Sequence, residues 1–139
     1  MVKKIIPLFA LVALVITGCS TGKYADVKSY LQDTIKMQEK YISTIEGAKS
    51  GSEVASAIET FADGLVEMAE KGKELEKKYP ELNFKDKQFP PELKAEMDKL
   101  DEVGKRMITA STSIGMKYMR DPAVLKAQMS MAKKLQALQ

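Results

Sequence analysis

Four methionines late in the chain come closest, by type and spacing, to a recognisable chemistry. Met116 and Met119 lie one helical turn apart, and Met129 and Met131 follow after an interruption at Asp121. Thioether sulfurs are soft ligands that suit copper(I), so these four side chains are the candidates for a soft-metal site. Methionine is also a flexible filler of hydrophobic cores. A metal site would require three of the sulfurs to converge.

The acidic residues offer no recognisable catalytic arrangement. The chain contains no histidine, and this removes the usual general base and the histidine ligands of di-iron and haem bundles. Six carboxylates fall off the apolar faces of the predicted helices and are expected to be solvated: Glu67, Glu70, Glu74, Asp98, Asp101 and Glu102. No glycine-rich phosphate loop is present. We therefore predict that the protein is not an enzyme and has no catalytic residue and no cofactor.

The single cysteine, Cys19, carries the most specific signal in the sequence. Lys3 and Lys4 precede an uncharged apolar run, which is shorter than the roughly 20 apolar residues that a spanning helix needs. A basic start, a short apolar segment and small residues at its end are typical of a secretory signal peptide. The ending Ile16-Thr17-Gly18-Cys19 resembles the lipobox of bacterial lipoproteins. This resemblance covers the N-terminal segment alone.

The lipobox resemblance implies a signal peptide over residues 1–18 and a lipidated tether over 19–23. The remaining residues, 24–139, are predicted from their periodicity to form a helical bundle domain. Cys19 would carry the acyl chains, whose burial contributes about 0.8 kcal/mol per CH₂ group. Ser20 follows the cysteine. In lipoproteins of bacteria with two membranes, a residue other than aspartate there indicates the outer membrane, facing the periplasm. Acylation would also remove the one thiol from disulfide and metal chemistry.

Apolar residues behind the tether recur at alternating steps of three and four, which is the period of amphipathic helices. The first segment runs from about residue 24 to 49, the second ends at Pro80, and the third begins near Pro91. Asp121-Pro122 combines a helix cap with a first-turn proline and starts the fourth. Ser50 and Glu53 have the spacing of a capping box at the start of the second, with Ser52 as the rival cap. The predicted apolar stripe of the third segment comprises Leu93, Met97, Leu100, Gly104, Met107, Ser111, Ile114 and Tyr118 and is widened by Val103, Ala110 and Met119. That of the fourth comprises Val124, Leu125, Met131, Leu135 and Leu138.

Four such segments predict an all-α fold, an antiparallel four-helix bundle. Three long helices with a shorter fourth docked across them are the alternative. If consecutive helices pair, Gly72 lies near Tyr30 and Gly104 lies near Met68. A small residue opposite a large one is ordinary helix packing. The other interpretation of these small residues is a cavity for an apolar ligand, close to the polar residue Gln38.

The charges are distributed unevenly along the chain. Residues 53–81 contain eight acidic and four basic side chains, whereas residues 103–139 contain seven basic and one acidic. The basic segment could face anionic lipid or an acidic partner, or it could complement the acidic helix within the bundle. Without residues 1–18 the chain has 20 basic and 19 acidic side chains. This near balance gives no electrostatic case for nucleic-acid binding.

Phe84 and Phe89 lie in the proline-rich connection and are candidates for anchoring a partner protein. The alternative is that they pin this loop onto its own bundle. Taken together, the sequence predicts a membrane-anchored, extracytoplasmic helical lipoprotein that binds or scaffolds a protein partner at the bacterial envelope. Its mature part resembles small helical lipoproteins in general. The alternative function is a carrier or sensor that holds a small ligand or copper in the bundle interior.

Overall fold

The computed structural model describes residues 22–82 and 89–138, which form four α-helices and one short 3-10 helix. The helices are α1 (Ala25–Gly47), α2 (Gly51–Lys78), α3 (Lys94–Lys117) and α4 (Pro122–Gln136), and the 3-10 helix Pro91–Leu93 leads into α3. The described residues contain no strand. The predicted all-α four-helix bundle is therefore confirmed, with α4 as its shortest helix.

Side-chain caps fix the starts of α2 and α4. The hydroxyl oxygen of Ser50 accepts a hydrogen bond from the backbone N–H of Glu53 at 3.2 Å, so Ser50 is the cap. The carboxylate of Glu53 accepts from the backbone N–H of Lys49 at 2.8 Å, one residue earlier than in a standard capping box. Asp121 Oδ1 accepts from two backbone N–H groups in the first turn of α4, at 2.9 and 3.3 Å. These side chains satisfy donors that a helix start leaves free.

The helices are packed in the order α3–α1–α2–α4, since α1 lies against α2 and α3, and α2 lies against α4. The ion pairs between α1 and α3 show that these two helices run in the same direction. Lys28 pairs with Glu96 at 3.2 Å, and further along Glu39 pairs with Lys99 at 3.8 Å. The N-terminal halves of α2 and α4 share a core cluster. Consecutive helices thus alternate in direction, but the packed pairs α1–α3 and α2–α4 run parallel.

This packing order confirms one of the two predicted contacts between a small and a large residue and shows that the other is wrong. A Cβ built on Gly72 would lie 3.1 Å from the hydroxyl oxygen of Tyr30, as expected for antiparallel α1 and α2. The predicted contact of Gly104 with Met68 is wrong, because no atom lies within 4 Å of a Cβ built on Gly104. The Met68 sulfur instead accepts a hydrogen bond from the Thr34 hydroxyl at 3.7 Å. The physical reason is that α3 packs on α1 and not on α2.

Three hydrophobic clusters fill the bundle from its base to its top. The base holds the start of α1, the end of α2 and the start of α3, and the top holds the turns around residues 49 and 120. The buried residues of the lower cluster are Val27, Leu31, Leu75, Tyr79, Leu82 and Leu93. Those of the middle cluster are Ile35, Ile42, Ile45, Ala57, Val103 and Ala110. Those of the upper cluster are Ala48, Val54, Ala55, Ile58, Val124 and Ala127.

The buried sides of α3 and α4 differ from the predicted stripes. Val103 and Ala110, which widen the predicted stripe of α3, are buried, whereas Gly104 and Ser111 of the stripe are only half-buried and Met119 is exposed. On α4, Leu125 of the stripe is exposed, whereas Ala127, which lies outside the stripe, is buried in the upper cluster. Among the described elements, α3 packs closely against one helix, α1, and α4 against one helix, α2. Part of each predicted stripe is therefore left facing the space between α3 and α4.

Candidate binding surface

The exposed large hydrophobic side chains of the described bundle lie on α3, on α4 and in the turn between them. On α3, Ile108 and Met116 are 67% and 69% exposed, and Met119, in the turn that follows α3, is 61% exposed. On α4, Leu125 and Met129 are 44% and 61% exposed. Contiguous exposed apolar patches on soluble proteins mark interaction sites. We call these five residues the α3–α4 surface.

A cleft of about 230 Å³ opens beside the α3–α4 surface. All four helices contribute to its lining, which consists of Tyr41, Val54, Ile58, Phe61, Met107, Ser111, Ile114, Gly115, Val124, Gln128 and Met131. Ser111 follows Ile108 by three residues, and Gln128 follows Leu125 by three. Residues at this spacing are neighbours on a helix, so Ile108 and Leu125 of the α3–α4 surface lie beside the cleft.

Tyr41 and Phe61 form the wall of this cleft on the side of α1 and α2. Their rings are stacked, with centroids 4.4 Å apart and an angle of 20° between the planes. The same two rings line a wider groove of about 500 Å³ between α1 and α2. The pair therefore separates the inner cleft from the outer groove, and its apolar contact holds α1 and α2 together at this level.

The four candidate methionines do not form an enclosed thioether site. Met116, Met119 and Met129 are largely exposed. Met131 is half-buried, packs against the upper cluster and lines the cleft. Nor does any group of three acidic or cysteine side chains within the described residues have a metal-binding arrangement. The exposed methionines instead contribute apolar area to the α3–α4 surface.

The basic side chains of the C-terminal third are largely unpaired. They are Lys105, Arg106, Lys117, Arg120, Lys126, Lys133 and Lys134. Among the described residues, only Lys134 of this set forms an ion pair, with Asp63 of α2. Charge complementarity between acidic α2 and this basic region thus amounts to one ion pair, and six cations remain available on the surface.

The six carboxylates predicted to be solvated are exposed, but a seventh, which the sequence did not single out, is buried. Glu96 is 9% exposed at the start of α3. Its Oε1 accepts hydrogen bonds from Lys28 at 3.2 Å and Gln32 at 3.3 Å, and its Oε2 has no partner among the described residues. Burial alone would raise the pKa of Glu96, but the hydrogen bonds from Lys28, its own backbone and Gln32 outweigh burial and lower it. Glu96 thus joins α3 to α1.

A polar network fastens the first described residues to the base. The Lys23 ammonium pairs with Glu81 at 2.8 Å. The Asp26 carboxylate pairs with Lys78 and accepts a hydrogen bond from the Tyr79 hydroxyl at 2.7 Å. Burial would raise the pKa of Asp26, but these two hydrogen bonds outweigh burial and lower it. The predicted tether therefore joins the bundle at its base, where these contacts link the start of α1 to the end of α2.

The remaining predicted residues lie in or beside the segments that are not described. Cys19 and Phe84 fall outside the described residues. Phe89 is half-buried and packs against the lower cluster, as expected of a residue that pins its loop to the bundle. None of the described helices combines the length and the apolar character needed to cross a membrane.

Comparisons with known proteins identify no relative of the chain. No family model, no curated protein and no solved structure matches the chain.

Proposed function

We propose that the protein is a lipid-anchored bacterial envelope protein that acts by binding, and that the α3–α4 surface is its contact surface. One observation carries the proposal: the exposed large hydrophobic side chains of the described bundle lie on α3, on α4 and in the turn between them. Leaving such side chains in water forgoes about 1.5–3 kcal/mol each, relative to full burial. A contact that covers them would recover part of that free energy.

The anchor is proposed from the N-terminal sequence. A basic start and an apolar run end at Ile16-Thr17-Gly18-Cys19, as in lipoprotein precursors. Between Cys19 and the first described residue lie only Ser20 and Thr21. Acyl chains on Cys19 would therefore hold the base close to the membrane, and Ser20 favours the periplasmic side of an outer membrane.

A non-catalytic role is proposed because the residue types favour it. The chain has no histidine, and the carboxylates of the helix faces are solvated. The buried carboxylate, Glu96, is engaged by Lys28 and Gln32. Binding through an exposed surface requires none of the groups that are missing.

Site-specific photocrosslinking in living cells tests the proposed surface. A photoreactive amino acid replaces Met119 of the surface or, as a matched control, Ser43, which is an exposed residue of α1. We expect crosslinked species, to lipid or to protein, in severalfold higher yield from position 119. Equal yields from the two positions would refute the assignment of the α3–α4 surface.

A second candidate function is a carrier of a small apolar ligand, which the cleft between α3 and α4 favours. The cleft is lined mainly by apolar side chains, and Tyr41, Ser111 and Gln128 contribute polar groups to its lining. Native mass spectrometry of protein released from membranes tests this candidate. A reproducible bound mass that disappears when Gly115→Leu fills the cleft would support it, and a ligand-free chain would exclude it.

A further inference from the structure

We infer that the α3–α4 surface lies on the anionic surface of the bilayer that holds the anchor. The inference rests on the proposed function and names what the contact surface binds. Four observations support it: the unpaired cations, their placement beside the apolar side chains, the types of those side chains, and the reach of the tether.

The first observation is an uncompensated positive charge. Residues 103–139 contain seven basic side chains and one acidic side chain, Asp121. Asp121 is occupied as the cap of α4, and Lys134 is paired with Asp63. The other six basic side chains have no ion-pair partner among the described residues. Basic clusters of this kind are attracted to anionic lipid headgroups.

The second observation is where these cations lie on the helices. Lys105 precedes Ile108 by three residues on α3. On α4, Lys126 precedes Met129 by three and Lys133 follows it by four. Residues three or four apart share one side of a helix, so the lysines flank the apolar side chains. Lysine can lay its aliphatic stem on an apolar region while its ammonium reaches the headgroups. A basic border around an apolar face is typical of helices that lie in the membrane interface.

The third observation favours lipid over an acidic protein. The α3–α4 surface consists of three methionines, one leucine and one isoleucine. The hot spots of protein interfaces are enriched in Trp, Tyr and Arg, seated in well-packed pockets, and none of these residue types is among the five. Flexible thioether and aliphatic side chains between lysines fit a fluid acyl and headgroup region without needing a shaped partner.

The fourth observation is that the predicted tether is long enough. Lys23 is fastened to Glu81 at the base, four residues after Cys19. Four residues of extended chain span about 13–14 Å, whereas the axes of packed helices lie about 8–10 Å apart. The tether therefore lets the bundle rest on its side, with α3 and α4 against the membrane.

Vesicle co-sedimentation of residues 20–139, which carry no acyl chain, tests the inference. This segment contains all three core clusters, so the packing described above is retained. We expect at least about tenfold stronger partitioning into phosphatidylcholine vesicles that contain phosphatidylglycerol than into pure phosphatidylcholine, and a loss of this difference at high salt.

Two triple variants with the same net charge locate the contact. Each lysine near an anionic surface contributes about 1 kcal/mol, or about fivefold in partitioning, so three substitutions on the surface should weaken it on the order of 100-fold. The surface variant is Lys105→Gln/Lys126→Gln/Lys133→Gln. The control is Lys40→Gln/Lys49→Gln/Lys77→Gln, whose lysines are exposed elsewhere, and we expect a change of less than about threefold. Equal losses would mean that net charge, and not the α3–α4 surface, drives binding, and would overturn the inference.

The apolar part of the contact is tested by Ile108→Ser/Met119→Ser/Met129→Ser. These side chains are exposed, so the variant should keep the helical circular dichroism of the parent while its partitioning falls at least about tenfold. If residues 20–139 bind neither vesicle, yet photocrosslinking at position 119 captures a protein, the inference fails and the proposed function stands. If neither binding nor crosslinking is seen, both fail.

Discussion

The carboxylate of Asp121 lies directly against the Cα of Gly51, so that a Cβ built on Gly51 would overlap both carboxylate oxygens. Asp121 belongs to the turn between α3 and α4, and Gly51 opens α2. The same carboxylate caps α4. This contact at the top of the bundle thus joins the α1–α2 turn to the α3–α4 turn, and it helps to position α3 and α4 against α1 and α2.

Gly51→Ala should therefore destabilise the bundle by about 1–2 kcal/mol, since the new methyl group displaces a helix-capping carboxylate. Urea unfolding followed by circular dichroism measures the change. The control is Gly104→Ala, where no atom lies within 4 Å of the new Cβ. Gly104→Ala should stabilise α3 by about 0.5–1 kcal/mol, because alanine is the better helix former. Changes of the same sign would contradict this account of the top contact.

Glu96 should make the stability of the bundle depend on pH. Because its folded pKa lies below the ordinary value of 4.5, its contribution is present above that value and is lost as the pH falls through the folded pKa. Glu96→Gln should cost about 1–3 kcal/mol at neutral pH, and the difference from the parent should narrow below about pH 4.5. Asp26 acts in the same direction, so the variant retains part of the acid sensitivity.

Denaturant unfolding between acidic and neutral pH checks this prediction. Glu70→Gln, at an exposed position of α2, serves as the control and should change stability by less than about 0.5 kcal/mol. A difference between Glu96→Gln and the parent that stays constant with pH would be incompatible with the lowered pKa of Glu96.

Cys19→Ala should abolish lipidation. We expect the parent protein from membranes to begin at residue 19 and to carry the mass of its acyl chains, whereas the variant should carry none. Ser20→Ala is the control and should be lipidated like the parent. Intact mass measurement decides the matter, and a parent without added acyl mass would exclude the lipobox interpretation.

The helices could be predicted because the signals that define them are local. The three- and four-residue steps indicated each amphipathic segment, and Ser50 and Asp121 marked two helix starts that the structure confirms by hydrogen bonds. The antiparallel contact of α1 with α2 followed from the short turn between them. It placed Gly72 beside Tyr30, as observed.

The candidate surface could not be predicted because it depends on which helices are neighbours. An apolar stripe shows which side of a helix avoids water, but it does not show whether another helix covers that side. Leu125 follows the apolar pattern and is nevertheless exposed, while Ala127 is buried against α2. Ile108 lies off the stripe and carried no signal. The burial of Glu96 could not be predicted because charged residues are usually exposed, although its spacing from Val103 fits the buried side of α3.

Thiol accessibility in intact cell envelopes tests the central claim, that the α3–α4 surface is covered where the protein works. Met119→Cys or Met129→Cys supplies a thiol on the surface, and Ser43→Cys supplies the exposed control on α1. A water-soluble maleimide is applied before and after extraction with detergent. We expect slow labelling of positions 119 and 129 in envelopes, rapid labelling of position 43, and equal rates once detergent is added. Equally rapid labelling of all three positions in intact envelopes would contradict this claim.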